Sequence, residues 1–215
     1  MPDRTARSHT RTARARKPLV SKVTNARDAL ADFGQGMETF CLTFGQFSLF
    51  DAVEALLERT GPADVCISTW TAGSADLTRA SEQLRRGAFR SLRMVVDRSF
   101  ATRQPGYLAT VRELFGDDAI RATRTHAKFV TIVNAVWAVS VRTSMNMNSN
   151  PRLESIEVTD EPSLTDFLVS VVDELFEEVP AGKWDKIPVP DLPGIEGVAP
   201  TPVVSMGRMV ATERA

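Results

Sequence analysis

Histidine, cysteine and tyrosine are scarce in this chain, with two, two and one copies in 215 residues. With only His9 and His126, a protein zinc site has few ligands to draw on. Cys41 and Cys66 share no metal-like spacing and are too few for a disulfide framework, so they read as buried free thiols of a reducing compartment. No apolar run approaches the length of a membrane span, and no signal-peptide core is apparent. The formal net charge of −1 removes any case for a nucleic-acid binder from total charge alone. These shortages set four expectations: a cytoplasmic protein, no membrane association, no metal and no cofactor.

What is present is unevenly spread. Arg4, Arg7, Arg11, Arg14, Arg16, Lys17 and Lys22 face the single acid Asp3 in the first 22 residues. Residues 1–24 therefore read as a basic arm, with a solvated tail, a nucleic-acid arm and a transit peptide as its alternatives. At the other end, Pro180, Pro188, Pro190, Pro193, Pro200 and Pro202 punctuate residues 180–215. This segment reads as an extended tail whose Trp184, Ile187 and Ile195 suit docking. Residues 25–179 are left as one globular domain.

Along that domain, strand and helix patterns alternate. A short helix at 25–33 with Asn25 as cap is followed by a strand at 37–44 and a helix at 48–59. A strand at 64–70, a helix at 74–86, a strand at 91–96 and a helix at 106–115 come next, then a short strand at 119–123. A strand at 155–159 and an amphipathic helix at 163–178, capped by Ser163, close the domain. The alternation argues for an α/β layered fold. Asp51 and Glu54 read as a solvated helix face rather than a carboxylate pair. Gly34-Gln-Gly36 lacks the preceding strand and third Gly of a dinucleotide fingerprint.

Residues 125–154, THAKFVTIVNAVWAVSVRTSMNMNSNPRLE, stand apart. Val130 and Ile132 on one face and Phe129 and Val133 on the other make a strand buried on both sides, as in a helix-covered sheet. A reversal at Asn134–Ala135–Val136 would set His126 opposite Ser144. His126 with Lys128, and Ser144 with Asn146, then crowd one patch. An imidazole, an ammonium, a hydroxyl and a carboxamide together can hold a phosphate. The competing structural reading makes His126 a core residue and the Ser/Asn cluster turn formers. Lys128 in an apolar run is harder to explain that way.

The pattern His126-x-Lys128, hydrophobic strand, Ser144-x-Asn146 and downstream Glu154 resembles the HKD motif of the phospholipase D superfamily, and the NPRLE segment resembles its single-motif, nuclease-like branch. The resemblance implies a mixed β-sheet flanked by helices on both faces. It implies His126 as nucleophile, Lys128, Ser144 and Asn146 as phosphate ligands, and Glu154 as the group that orients the imidazole. Arg142, Asn148 and Arg152 flank the motif and are candidate substrate contacts, with surface ion pairing as the alternative for the arginines. Two positions depart from the family pattern: Val133 stands where the family has Asp, with Asn134 next, and Thr143 replaces the Gly before the Ser.

Chemistry of this type uses one histidine as nucleophile and a second as general acid. The chain has one motif, so the expectation is a homodimer with two His126 side chains facing across a twofold axis. The first expectation for activity is a metal-independent phosphodiesterase acting on nucleic acid, with DNA as the expected partner. The alternatives are an inactive module of the same fold that binds DNA or protein, and a lipid headgroup hydrolase.

Overall fold

The computed structural model describes residues 7–9, 23–148 and 151–182. Most of the basic arm, Asn150 and residues 183–215 of the proline-rich segment lie outside the described residues. The elements run α1 (Ala26–Ala29), β1 (Glu38–Thr43), α2 (Leu49–Thr60), β2 (Ala63–Thr69), α3 (Ser74–Arg85), β3 (Phe89–Asp97), α4 (Phe100–Arg103), α5 (Pro105–Phe115), β4 (Ile120–Thr123), β5 (Phe129–Val133), β6 (Ala138–Thr143), β7 (Glu154–Asp160) and α6 (Pro162–Glu178).

Seven strands form one mixed sheet in the order β1-β7-β6-β5-β2-β3-β4. β2, β3 and β4 are parallel neighbours, joined by crossovers that contain α3 and α5. The other neighbouring pairs are antiparallel. Direction therefore reverses between β2 and β5. The carboxyl ends of β1, β2, β3, β4 and β6 come to one edge of the sheet, with the amino ends of β5 and β7.

Both faces are covered, as the apolar runs require. On one face, Leu49, Phe50, Val53 and Leu56 of α2, Leu77 of α3 and Val111 of α5 pack on Val65, Ile67, Met94, Val130 and Ile132. On the other, α6 sets Val172 against Cys66, Val95 and Phe129. Cys41 is half-buried on β1 and Cys66 buried on β2, and both are free thiols.

Local chemistry accounts for most boundaries. Ser48 caps α2 and forms a capping box with Asp51, its hydroxyl accepting from the Asp51 amide at 3.1 Å. Gly61 ends α2 with φ +72°, a conformation that a side chain would strain. Asn25 caps α1, but that helix stops at Ala29, four residues short of expectation, because Leu30 leaves helical geometry. Ser163 does not cap α6. The helix begins at Pro162, which suits a first-turn position without an N–H, and Glu161 is its cap residue. The short helix α4 lies in a stretch that sequence patterning leaves as a loop.

Asp51 and Glu54 are not a simple solvated face. Arg79 of α3 donates to Asp51 at 2.7 Å, to Glu54 at 2.5 Å and to Asp76 at 3.2 Å, while its guanidinium sits 4.9 Å from the Phe50 ring centre. Burial works to raise the Asp51 carboxyl, but hydrogen bonds from Ser48 and Arg79 outweigh it and leave it below the usual range. Burial pushes Asp76 up, against the pull of Arg79, and one of its oxygens has no partner.

Arg79→Leu leaves three carboxylates facing one another. It is expected to destabilise the protein by about 2 kcal/mol at neutral pH, less than for a fully buried pair because the side chain is 32% exposed. The deficit shrinks as pH falls through the carboxylate range, since protonated acids no longer repel. Urea melts of both proteins at neutral pH and at about pH 4 check this; an equal deficit at the two values would contradict it.

Candidate active site

Between the end of β4 and the start of β5 the chain runs extended, and three side chains pin it to its neighbours. Asp97, at the end of β3, accepts from the Thr125 amide at 3.1 Å. Thr125 Oγ1 accepts from the Ala127 amide at 3.1 Å, and Ser68 of β2 donates to the Ala127 carbonyl at 2.9 Å. Burial works to raise Asp97, but the Ser99 hydroxyl, the Ser99 amide and the Thr125 amide hold it below its usual range. His126 and Lys128 are thereby fixed just outside the sheet, at the edge where the parallel strands end.

Lys128 Nζ lies 3.0 Å from His126 Nδ1 and donates to the His126 carbonyl at 2.9 Å. His126 is exposed and Lys128 half-buried. Partial desolvation lowers the Lys128 ammonium from its ordinary range, while the charge of Glu154 pulls the other way.

The second half of the motif arrives by a different register from the one expected. The β5–β6 loop holds four residues, Asn134 to Trp137, so Val133 pairs with Ala138 and Phe129 with Arg142. Continued outward, that ladder puts Thr143 across from Lys128, with the Thr143 amide donating to the Lys128 carbonyl at 3.2 Å. Ser144 is thus displaced by one position from the pairing with His126. A one-residue slip turns a side chain to the opposite face, but the strand ends here. Thr143 Oγ1 accepts from the Met145 amide at 3.0 Å and donates to the Ser155 carbonyl at 2.7 Å. That turn aims Ser144 at β7, where its hydroxyl donates to Glu154 and accepts from the Ser155 amide at 2.9 Å.

Beyond Ser144 the chain crosses to the end of β2. Met147 forms an isolated parallel bridge with Ala72, its amide lies 3.2 Å from both the Thr71 carbonyl and Thr69 Oγ1, and its carbonyl accepts from Gly73 at 2.7 Å. Asn146 is held at 8% exposure, with Oδ1 unpartnered. Asn146, Asn148, Glu154, Thr43 and Ser48 line a recess of about 10 Å³ at the N-terminus of α2, room for one water. The N-termini of α2 and α3 point to this edge and favour an anion there.

The structure therefore joins His126 to Lys128 and Ser144 to Glu154, with Asn146 and Asn148 beside Glu154. The partners of Glu154 are Ser144 and Arg152, the latter at 3.4 Å, while Nδ1 of the imidazole faces Lys128. Arg142 is paired with Glu157 at 2.5 Å. Both flanking arginines are thus engaged by acids. Among the described residues, no group of three or more His, Cys, Asp or Glu could hold a metal ion.

Two contributors escaped the sequence reading. The Trp70 ring lies 5.7 Å from the His126 ring, and the Arg103 guanidinium stacks 3.7 Å above Trp70. Arg103 also donates to the Trp70 carbonyl at 3.2 Å and to Ser99 Oγ at 2.9 Å. Trp70 ends the predicted strand at 64–70, a position where a polar-tipped aromatic hints at a site rim. Arg103 carried no signal, because its helix was not foreseen.

Lys128 is expected to titrate below the other lysines in a carbon-13 NMR titration. In Glu154→Gln it moves further down, because the carboxylate that favours the ammonium is gone. A Lys128 that titrates with the rest, or is unmoved by Glu154→Gln, would contradict this electrostatic picture.

No family model and no curated protein matches this chain. Among solved structures, the chain is similar to Nuc from Salmonella typhimurium, described as a phospholipase D family member. They share 12% identity over 67% of this chain and 98% of that one, with a TM-score of 0.49. It is also similar to NucT from Helicobacter pylori, at 15% identity over 67% of this chain and 99% of that chain, with a TM-score of 0.48. Polyphosphate kinase from Porphyromonas gingivalis aligns with 68% of this chain over 27% of its own, at 13% identity and a TM-score of 0.49. These are likenesses of chain course at low identity, and the chemistry rests on this chain's own residues.

Proposed function

We propose that this protein is a phosphodiesterase that cleaves nucleic acid, DNA in the first instance, through His126 and without a metal ion. The observation that supports it most is the contact of His126 with Lys128 at the sheet edge that also receives Ser144, Asn146 and Glu154. A cation beside one exposed imidazole, with neutral donors and two helix N-termini at the same sheet edge, supports a phosphoryl-transfer reading.

The proton inventory at the imidazole constrains how it reacts. While the Lys128 ammonium donates to Nδ1, that nitrogen is an acceptor and a neutral ring carries its proton on Nε2. Attack through Nε2 needs that proton on Nδ1 instead. An incoming phosphate resolves the conflict by drawing the ammonium to its own oxygens, leaving Nδ1 free to hold the proton. Nε2 then forms a bond to phosphorus while the bond from phosphorus to the leaving oxygen breaks, and a second imidazole protonates that oxygen. In the second step the second imidazole, now neutral, takes a proton from water, whose oxygen attacks phosphorus as the phosphorus–nitrogen bond breaks and the ring is regenerated. His126 from a second copy is the source of the acid, so the working unit is a homodimer.

Two observations favour the alternative, an inactive module of the same architecture that binds DNA or protein. Nδ1 faces an ammonium rather than a carboxylate, and the recess in front of Asn146 has room for only one water.

Labelled single- and double-stranded DNA in excess EDTA separates the two. Cleavage by the wild-type protein is expected, with losses of roughly a thousandfold or more in His126→Ala and roughly a hundredfold or more in Lys128→Met. Retarded but intact DNA with all three proteins would select the binding module.

A further inference from the structure

The two flanks of His126 differ in how their cations are held. On the β6–β7 side, Arg142 and Arg152 pair with Glu157 and Glu154. On the other side, the chain leaves the parallel strands β2, β3 and β4 through Trp70, Arg98 and Arg124 respectively. Segments 70–75, 97–104 and 123–128 build this flank and hold Arg98, Arg103, Arg124 and Lys128 against one acid, Asp97. Asp97 is already occupied, accepting from the Ser99 hydroxyl, the Ser99 amide at 2.9 Å and the Thr125 amide at 3.1 Å. Arg103 and Arg124 are exposed, and neither forms an ion pair among the described residues.

Strand register lines these residues up. Asp97 pairs with Thr123, and the Arg98 amide donates to the Thr123 carbonyl at 2.8 Å, so Arg98 and Arg124 leave neighbouring strands at one level. Thr69 pairs with Val96, which puts Trp70 beside Asp97 and one strand nearer to β5. The Arg103 guanidinium lies 3.7 Å from the Trp70 ring centre and is fixed there by its bonds to the Trp70 carbonyl and Ser99 Oγ at 3.2 and 2.9 Å. One face of the guanidinium rests on the indole, and because Arg103 is exposed the opposite face is open to solvent. A planar cation locked on an aromatic ring is a stacking surface for a further flat group. A brace for α4 would need neither that open plane nor the unpaired Arg124 close by.

We propose that Trp70, Arg103 and Arg124 form a subsite for single-stranded nucleic acid, in which an unstacked base lies on the open face of Arg103 and Arg124 holds a backbone phosphate beside the one at His126. The inference rests on the reading of His126 as the site of phosphodiester cleavage, and it names the form of the strand that is taken. Bases in a duplex stack on one another and keep their flat faces from a protein, so only a single strand can use the Arg103 plane. Arg124 precedes His126 by two residues of extended chain, about 7 Å, so a strand with one phosphate at the imidazole passes Arg124 with its neighbouring groups. The arginines on the β6–β7 side are neutralised by their acids, which directs the strand over the ends of β2, β3 and β4 instead. Stacking is open to every base, so the subsite selects strand form and not sequence.

The test is the anisotropy of a labelled oligothymidylate and of a labelled duplex of equal length, in EDTA, with the full-length protein carrying His126→Ala so that no strand is cut. The single strand is expected to bind at least about tenfold more tightly than the duplex at the same salt concentration. Adding Arg103→Lys, which keeps the charge and removes the plane, is expected to weaken the single strand by about tenfold and to leave the duplex within about twofold. Adding Arg124→Gln is expected to weaken the single strand and to flatten its log–log salt dependence by roughly 0.7, the contribution of one phosphate contact. Both substituted side chains are exposed, so thermal midpoints are expected to stay unchanged. Equal binding of single strand and duplex would overturn the proposal, as would an Arg103→Lys protein that binds the single strand like its parent. Cleavage by the wild type in EDTA, read in parallel, keeps the two readings apart. A wild type that cleaves, with no effect of Arg103→Lys on binding, would remove the subsite and leave the phosphodiesterase standing. Single-strand selectivity that is lost in Arg103→Lys, with no cleavage by the wild type, would sink the phosphodiesterase and keep the subsite in a binding module.

Discussion

The carboxamide of Asn134 sets the geometry on which the candidate site depends. Its oxygen accepts from the Val136 and Trp137 amides, both at 2.9 Å, and its nitrogen donates to the Thr60 and Pro62 carbonyls at 3.0 and 3.3 Å. One side chain thus closes the β5–β6 loop and ties it to the turn between α2 and β2. Loop length fixes hairpin register, and register decides which residues share a face. The neighbouring Val133 is half-buried, so the polar anchor of the loop is Asn134 alone.

That register would have separated Ser144 from His126 had β6 continued. Thr143 prevents it: its hydroxyl turns the backbone at Met145 and delivers Ser144 to Glu154. Thr143 thus has a visible structural role in placing Ser144. On the imidazole side, Asp97 and Ser68 perform the equivalent task by gripping the approach to β5. The site edge is assembled by side chains that bond to backbone, which lets one end of a sheet hold a cation, a carboxylate and an imidazole within reach of each other.

Charge is distributed with the same economy. The candidate contacts Arg142 and Arg152 are matched with Glu157 and Glu154, while the Arg103 guanidinium lies over Trp70 at the other flank of His126. On the far side of the core, Arg79 binds two helices through three carboxylates, so replacing it would disturb α2, whose N-terminus lines the recess. Stability and site geometry meet in that helix.

The alternation of apolar periodicities was enough to determine an α/β fold, the number and order of nearly all its elements, and a hairpin buried on both faces. Those properties are local: residue spacing selects helix or strand, and Ser48, Gly61 and Asn25 mark boundaries through their own hydrogen bonds or backbone freedom. The sequence also singled out Lys128 as a charge out of place in an apolar run, grouped it with His126, Ser144 and Asn146 by strand spacing, and pointed to Glu154 only by resemblance. Only the tertiary structure decided that Ser144 meets Glu154 rather than His126, that Asp51 and Glu54 share Arg79, that Trp70 and Arg103 flank the imidazole, and that β1 lies at an open edge with its apolar side uncovered. Each of these depends on which strands are neighbours and on the register between them, distances through space that spacing along the chain does not encode.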